Sequence, residues 1–147
     1  MLNPSFGEKM RALVACADVI TPNLTEAALL LEKEPVLENY DAAYIEKSLF
    51  ELKKLGCKVP MITGVSLEKG KIGVAFLENG KADFVFSKKY DGVTCGTGDT
   101  LSSVLFGEFL SGSGIKAAVE RAVSATEKAI RDGVSEYGIN FECLLRG

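Results

Sequence analysis

The apolar residues of this chain change their spacing several times from one end to the other, and that succession of periods limits the folds open to it. Phe6, Met10, Leu13 and Val14 recur at helical spacing, after which residues 17–23, ADVITPN, read as a short buried strand broken at Pro22. Helical spacing then returns. Thr25 is placed to cap the segment EAALLLEKE, with Ala27, Leu30 and Leu31 as its inner face. Tyr44, Ile45, Leu49, Leu52 and Leu55 mark a further amphipathic helix that stops at Gly56, where a left-handed cap is usual. KVPMITG follows as a buried strand. The stretch GKIGVAFLENGKADFVFSKKY then holds two β-rich segments around Asn79-Gly80, the strongest short hairpin signal. Two helical segments come last, and the second sets Ile115, Ala118, Val119, Ala122, Val123 and Thr126 on one face, as suits a long helix packed on a sheet.

Helix, strand, helix, helix, strand, hairpin, helix, helix is an α/β order, with a sheet expected to be covered on both faces. A chain of 147 residues that is 47% hydrophobic can bury a real core as one domain. Its central strands are few, however. Only DVIT and VPMIT read as central and parallel, whereas a sheet usually has about 5–6 strands. Residues 1–147 therefore read as the C-terminal part of one larger domain, with the N-terminal part absent.

Charge and composition narrow the function. The net charge is -3 and the 17 Lys and Arg are scattered, which argues against a nucleic-acid partner. The four cysteines, Cys16, Cys57, Cys95 and Cys143, include no C-x-x-C pair, which argues against a zinc site, and histidine is absent, which excludes histidine catalysis. No apolar run reaches the ~20 residues of a membrane span, and with no signal peptide a cytoplasmic setting is expected.

The chemistry gathers in residues 93–103, VTCGTGDTLSS. A Gly-x-Gly turn leading into a helix leaves backbone N–H groups unpaired at the positive end of the helix dipole, and glycines at 96 and 98 let an anion approach without Cβ interference. An aspartate beside a phosphate is unfavourable unless it acts, and Asp99 could accept the proton of a hydroxyl that attacks phosphorus. The plainer alternative makes the segment a loop with Asp99 as helix cap. No G-K-[ST] follows and the third glycine of the dinucleotide fingerprint is missing, which removes the Walker A and Rossmann classes.

The segment CGTGDTLSSVLFGEFL resembles the C-terminal signature of the ribokinase-like small-molecule kinases. The resemblance implies a three-layer αβα sandwich with a mainly parallel sheet, Asp99 as catalytic base, and Gly96, Thr97 and Gly98 as the anion hole for the transferred phosphoryl group. ADVITPNLTEA is similar to the T-P-N-x-x-E-A segment of the vitamin B6 and hydroxymethylpyrimidine kinase branch, which implies that Asn23 and Glu26 lie near ATP and hold Mg²⁺ through water. That is chemically reasonable, because Mg²⁺ keeps much of its water shell. Read structurally, Asn23 ends a strand and Glu26 is a first-turn carboxylate. AIRDGVSEYGINFECLL resembles the closing segment of bacterial pyridoxal and pyridoxamine kinases, and no chemistry is assigned to Glu142.

Thr63, at a strand end, matches a position that contacts ATP phosphates in this branch, and Phe86 and Ser87 match a segment bordering the adenine, although ordinary sheet residues explain these two better. Lys88 and Lys89 read as a solvated edge. The D-P-V-M-G-D-x-G segment of the family, expected upstream, has no counterpart here.

The resemblance implies an ATP- and Mg²⁺-dependent kinase acting on the 5′-hydroxymethyl group of pyridoxal, pyridoxamine or pyridoxine, with a homo-oligomer, a dimer, expected. Many hydroxymethylpyrimidine phosphate kinases, and some related B6 kinases, carry Cys where this chain has Asp99, so the carboxylate favours a B6 kinase without excluding sugar or pyrimidine kinases. The alternatives are a hydroxymethylpyrimidine (phosphate) kinase, or a truncated, inactive binding module that keeps the anion hole without the substrate half.

Overall fold

The computed structural model describes residues 4–92, 96–135, 138–139 and 144, so Cys95, Cys143, Glu142 and most of the closing segment lie outside the described residues. In chain order the elements are α1 (Pro4–Val14), β1 (Val19–Ile20), α2 (Leu24–Leu30), α3 (Ala42–Lys54), β2 (Val59–Val65), β3 (Lys71–Glu78), β4 (Lys81–Lys88), α4 (Thr97–Leu110) and α5 (Ile115–Gly133), followed by the short strands β5 (Val134–Ser135) and β6 (Gly138–Ile139). Up to α5 this is the expected order.

Strands β1 to β4 form one sheet in the order β1-β2-β3-β4, and β5 and β6 pair antiparallel. β1 and β2 are parallel, with Val19 opposite Val59 and Ile20 opposite Pro60. They are joined through α2 and α3, since a parallel pair needs a long crossover. Asn79 and Gly80 link β3 to β4 with φ of 51° and 76°, the double positive φ of the tight hairpin turn that the Asn-Gly pair predicts.

The chain divides into two compact units, one of Met1–Leu67 with Val74–Phe84 and the other of Glu68–Gly73 with Val85–Gly147. In the first, α2 and α3 pack on β2. The α3 face closes the core, with Ile45, Leu49 and Leu52 at 0% exposure, each contributing about 1.5–3 kcal/mol by its burial. Asp41 caps α3 by accepting from the Tyr44 N–H at 2.8 Å. At its other end Gly56 has φ 115°, the left-handed region foreseen for it. A Cβ there would stand 3.0 Å from the Ala15 Cα, so the exits of α1 and α3 touch through backbone.

Two expectations change in this unit. The cap of α2 is Asn23, not Thr25, and the buried residues of α2 are Ala27 and Ala28, with Leu30 and Leu31 half-buried. The helix starts at Leu24, two residues earlier than a Thr25 cap would set it, and ends at Leu30, so Leu31 is its C-cap rather than part of its face.

In the second unit α5 packs along α4 and against β5 and β6. Ala118, Val119, Ala122, Val123 and Ala129 are its buried face, much as the spacing predicts, but the helix it packs along is α4. The α4–α5 corner is held by Glu108, which accepts from the Ser113 hydroxyl at 2.6 Å and pairs with Arg121. These two contacts, Ser113 first, hold the Glu108 carboxyl below the usual range.

Candidate active site

In the first unit, functional candidates collect at the C-terminal ends of β1 and β2. Pro22 has no N–H to offer the ladder, but its carbonyl accepts from the Thr63 N–H at 2.9 Å, and pairing resumes for one residue as a parallel bridge between Asn23 and Thr63. Two residues forty positions apart are thereby set side by side. Asn23 also begins α2. Its Oδ1 accepts from the Glu26 N–H at 2.9 Å, and the Glu26 Oε2 accepts from the Asn23 N–H at 2.9 Å, a reciprocal capping box.

Asn23 and Glu26 are exposed and Thr63 is half-buried, at the end of the parallel pair where open α/β sheets place ligands. Among the described residues no group of three or more His, Cys, Asp or Glu could hold a metal. Glu26 nevertheless suits Mg²⁺ held through water: its carboxylate is exposed and only Oε2 is used by the cap.

Two residues that the sequence did not single out shape this end. Gly64, directly after Thr63, has φ 72° within β2, and nothing stands within 4 Å of where its Cβ would be. The Tyr40 hydroxyl accepts from the Ser66 N–H at 2.8 Å and so ties the exit of β2 to the segment before α3. An isolated glycine in a strand pattern was a signal for the first. Nothing local signals the second.

In the second unit, α4 begins at Thr97 with Gly96 as its cap, in the left-handed conformation at φ 87° and ψ -5°. Among the described residues no side chain caps this helix. Asp99 is its third residue and does not cap it, which removes the plainer reading of this loop. The aspartate is exposed and stands in the first turn, where the helix dipole favours negative charge. Gly98 is exposed and has no neighbour within 4 Å of a Cβ position. Thr100 turns inward, 2% exposed.

Phe86 and Ser87 lie on β4 and are engaged in the hairpin itself. A Cβ on Gly73 would meet the Val85 carbonyl oxygen at 2.0 Å and the Phe86 Cδ1 at 2.8 Å, so the Phe86 ring occupies the space of the missing side chain. The Ser87 hydroxyl is directed at the Ile72 carbonyl at 3.5 Å. Lys88 and Lys89 are exposed, as expected of an edge, and the Lys88 ammonium lies 5.1 Å from the Tyr90 ring centre.

Comparison with known proteins follows the same lines. The family model described as phosphomethylpyrimidine kinase matches residues 1–140. No curated protein matches the chain. Among solved structures, a Bacteroides thetaiotaomicron protein described as a phosphomethylpyrimidine kinase and crystallised with pyridoxal is 30% identical, with a TM-score of 0.87 over 99% of this chain and 54% of that one. A pyridoxal kinase from Lactobacillus plantarum is 28% identical, with a TM-score of 0.86 over 99% of this chain and 54% of its own. The Staphylococcus aureus pyridoxal kinase, crystallised with AMP-PCP and pyridoxal, is 22% identical, with a TM-score of 0.86 over 99% of this chain and 55% of that one, a likeness of fold. The chain thus spans about half the length of the structures it matches, and over that half its α/β fold is that of the pyridoxal kinases.

Proposed function

Because the chain belongs to the phosphomethylpyrimidine kinase family, we propose that it is the nucleotide- and base-bearing part of an ATP-dependent kinase that phosphorylates the 5′-hydroxymethyl group of a B6 vitamer. Residues 1–147 are then the C-terminal part of one ribokinase-like domain. The observation that carries the reading is Gly98. Glycine costs a helix up to about 1 kcal/mol against alanine, and among the described residues neither a positive φ nor a crowding neighbour requires it here. With no side chain at position 98, the backbone there is open to close approach by a bound group. Gly96, Thr97 and Gly98 present the uncapped start of α4 to that group, and a phosphoryl group suits N–H donors at a helix N-terminus.

Asp99 then serves as general base, taking the proton from the acceptor hydroxyl as its oxygen attacks the γ-phosphorus and the bond from that phosphorus to the bridging oxygen of ADP breaks, ADP leaving. Its exposure leaves it open to a substrate. Asn23, Glu26 and Thr63 are assigned to the ATP phosphates, with Mg²⁺ held through water by Asn23 and Glu26. When bound, the ion supplies charge neutralisation at the phosphates. Phe86 and Ser87 remain candidates for the adenine border, though both already have work within the hairpin.

The ligands of the solved relatives, pyridoxal and AMP-PCP, support B6 vitamers and ATP as substrates. The family description favours a second reading, in which the acceptor is hydroxymethylpyrimidine or its phosphate. ATP turnover measured against pyridoxal, pyridoxamine, pyridoxine and hydroxymethylpyrimidine separates them. Preference for a B6 vitamer is expected, and preference for the pyrimidine would transfer the assignment to the second reading.

A further inference from the structure

The Thr100 hydroxyl donates to the Gly96 carbonyl at 2.8 Å, and the Thr100 N–H donates to the same oxygen at 3.0 Å. Ser48, Ser111 and Thr126 also bond back to the carbonyl four residues earlier, but those carbonyls belong to residues inside a helix. Thr100 bonds to the carbonyl of a left-handed glycine that caps a helix without a side chain of its own.

The difference matters because a peptide unit is planar. The Gly96 carbonyl and the Thr97 N–H belong to one trans unit and point in opposite directions, so whatever fixes the carbonyl also fixes the N–H. With glycine on both sides of Thr97 that plane rotates at little steric cost, and the Thr100 hydroxyl adds a second bond to the one its N–H makes in holding it. Thr100 is 2% exposed, so water does not compete for its hydroxyl. We infer that Thr100 is a positioning residue: acting through Gly96, its hydroxyl aims the Thr97 N–H at the phosphoryl group to be bound. This rests on the phosphate-site reading of residues 96–98.

The test follows the backbone amides of the ¹⁵N-labelled chain during titration with the magnesium complex of AMP-PCP. The Thr97 and Gly98 amides should shift and saturate. Thr100→Val, which keeps the branched shape and drops the hydroxyl, should weaken that saturation about fivefold, near the worth of one neutral hydrogen bond, while Thr100→Ser should restore it. Should the valine variant fold poorly, Thr100→Ala gives the same comparison without added bulk. Binding as tight in the valine or alanine variant as in the original chain overturns the positioning role. So does a serine variant as weak as they are. If the original chain shows no saturable shift at Thr97 or Gly98, the phosphate-site reading itself fails and takes the inference with it.

Discussion

Asn23 and Glu26 hold each other's backbone: each side chain accepts the other's N–H at 2.9 Å, so both residues proposed for the nucleotide also start α2. The two roles can be separated. Glutamine serves a capping box as well as glutamate does, so Glu26→Gln should leave the unfolding midpoint in place while weakening magnesium-nucleotide binding. Asn23→Ala should instead cost about 1 kcal/mol of stability. Magnesium-dependent nucleotide titration of both variants, beside their denaturation curves, checks this. Unchanged magnesium dependence in Glu26→Gln would leave Glu26 a cap alone.

Asp99→Asn keeps the shape of the first turn and removes the proposed base. Turnover should fall by about two to four orders of magnitude with nucleotide binding retained, the usual worth of a positioned general base. Steady-state kinetics of the full-length enzyme on the preferred vitamer decides the matter, and a variant with near-normal turnover would end the catalytic assignment.

Two glycines should respond differently to the same methyl group. At Gly73 the added carbon meets a backbone oxygen at 2.0 Å, which cannot swing aside as a side chain can, so Gly73→Ala should lose at least about 2 kcal/mol, in the upper part of the overpacking range. At Gly64 the space is open and only the φ of 72° is penalised, so Gly64→Ala should lose about 1–2 kcal/mol. Urea midpoints rank the two.

Burial raises the Cys57 thiol above its ordinary value of 9.0, and the side chain is fully enclosed, whereas Cys16 is exposed. Iodoacetamide with peptide mapping should label Cys16 in the folded chain and reach Cys57 only on unfolding. The sign for stability follows. A thiol protonated more firmly when folded contributes its full share below pH 9.0, and that share is lost as pH rises through the folded value. Rapid folded-state labelling of Cys57 would show that the α3–β2 corner opens readily.

The chain by itself should associate, and it should turn over little. In the first unit β1 pairs with β2 on one side, while its other side has no strand among the described residues. Leu13 on α1 is 65% exposed. In the second unit Phe106 and Leu110 on α4 are 65% and 73% exposed. Unpaired edges and apolar patches of this kind favour contact with another chain. Sedimentation velocity together with an ATP-turnover assay tests both halves of the statement, and a monomer with ordinary turnover would contradict it.

The sequence was most legible where one short segment decides its own conformation. Asn79-Gly80 announced the hairpin and Gly56 the end of α3, because a positive φ leaves few residue choices. The start of α2 was misplaced by one plausible cap, Thr25, although Asn23 and Glu26 carried the N-x-x-E spacing of a capping box. The approach of Asn23 to Thr63 depends on parallel pairing across a long crossover, which no local pattern encodes. Gly73 looked like any small strand residue until the Phe86 ring was seen across it. Thr100 was hidden for a related reason, since its bond to Gly96 depends on the handedness of a neighbouring backbone.

Gly56 works as the fulcrum of a lever. It rests against Ala15, and directly beyond it the Lys58 and Val59 N–H groups bond to the Ala17 and Asp18 carbonyls, at 3.2 and 2.8 Å. Those bonds set the alignment in which β1 and β2 run toward Asn23 and Thr63. A side chain at position 56 would pry Ala15 away and tilt that alignment from its far end. Damage to the end proposed for the nucleotide could therefore arise from a residue at the opposite end of the strands.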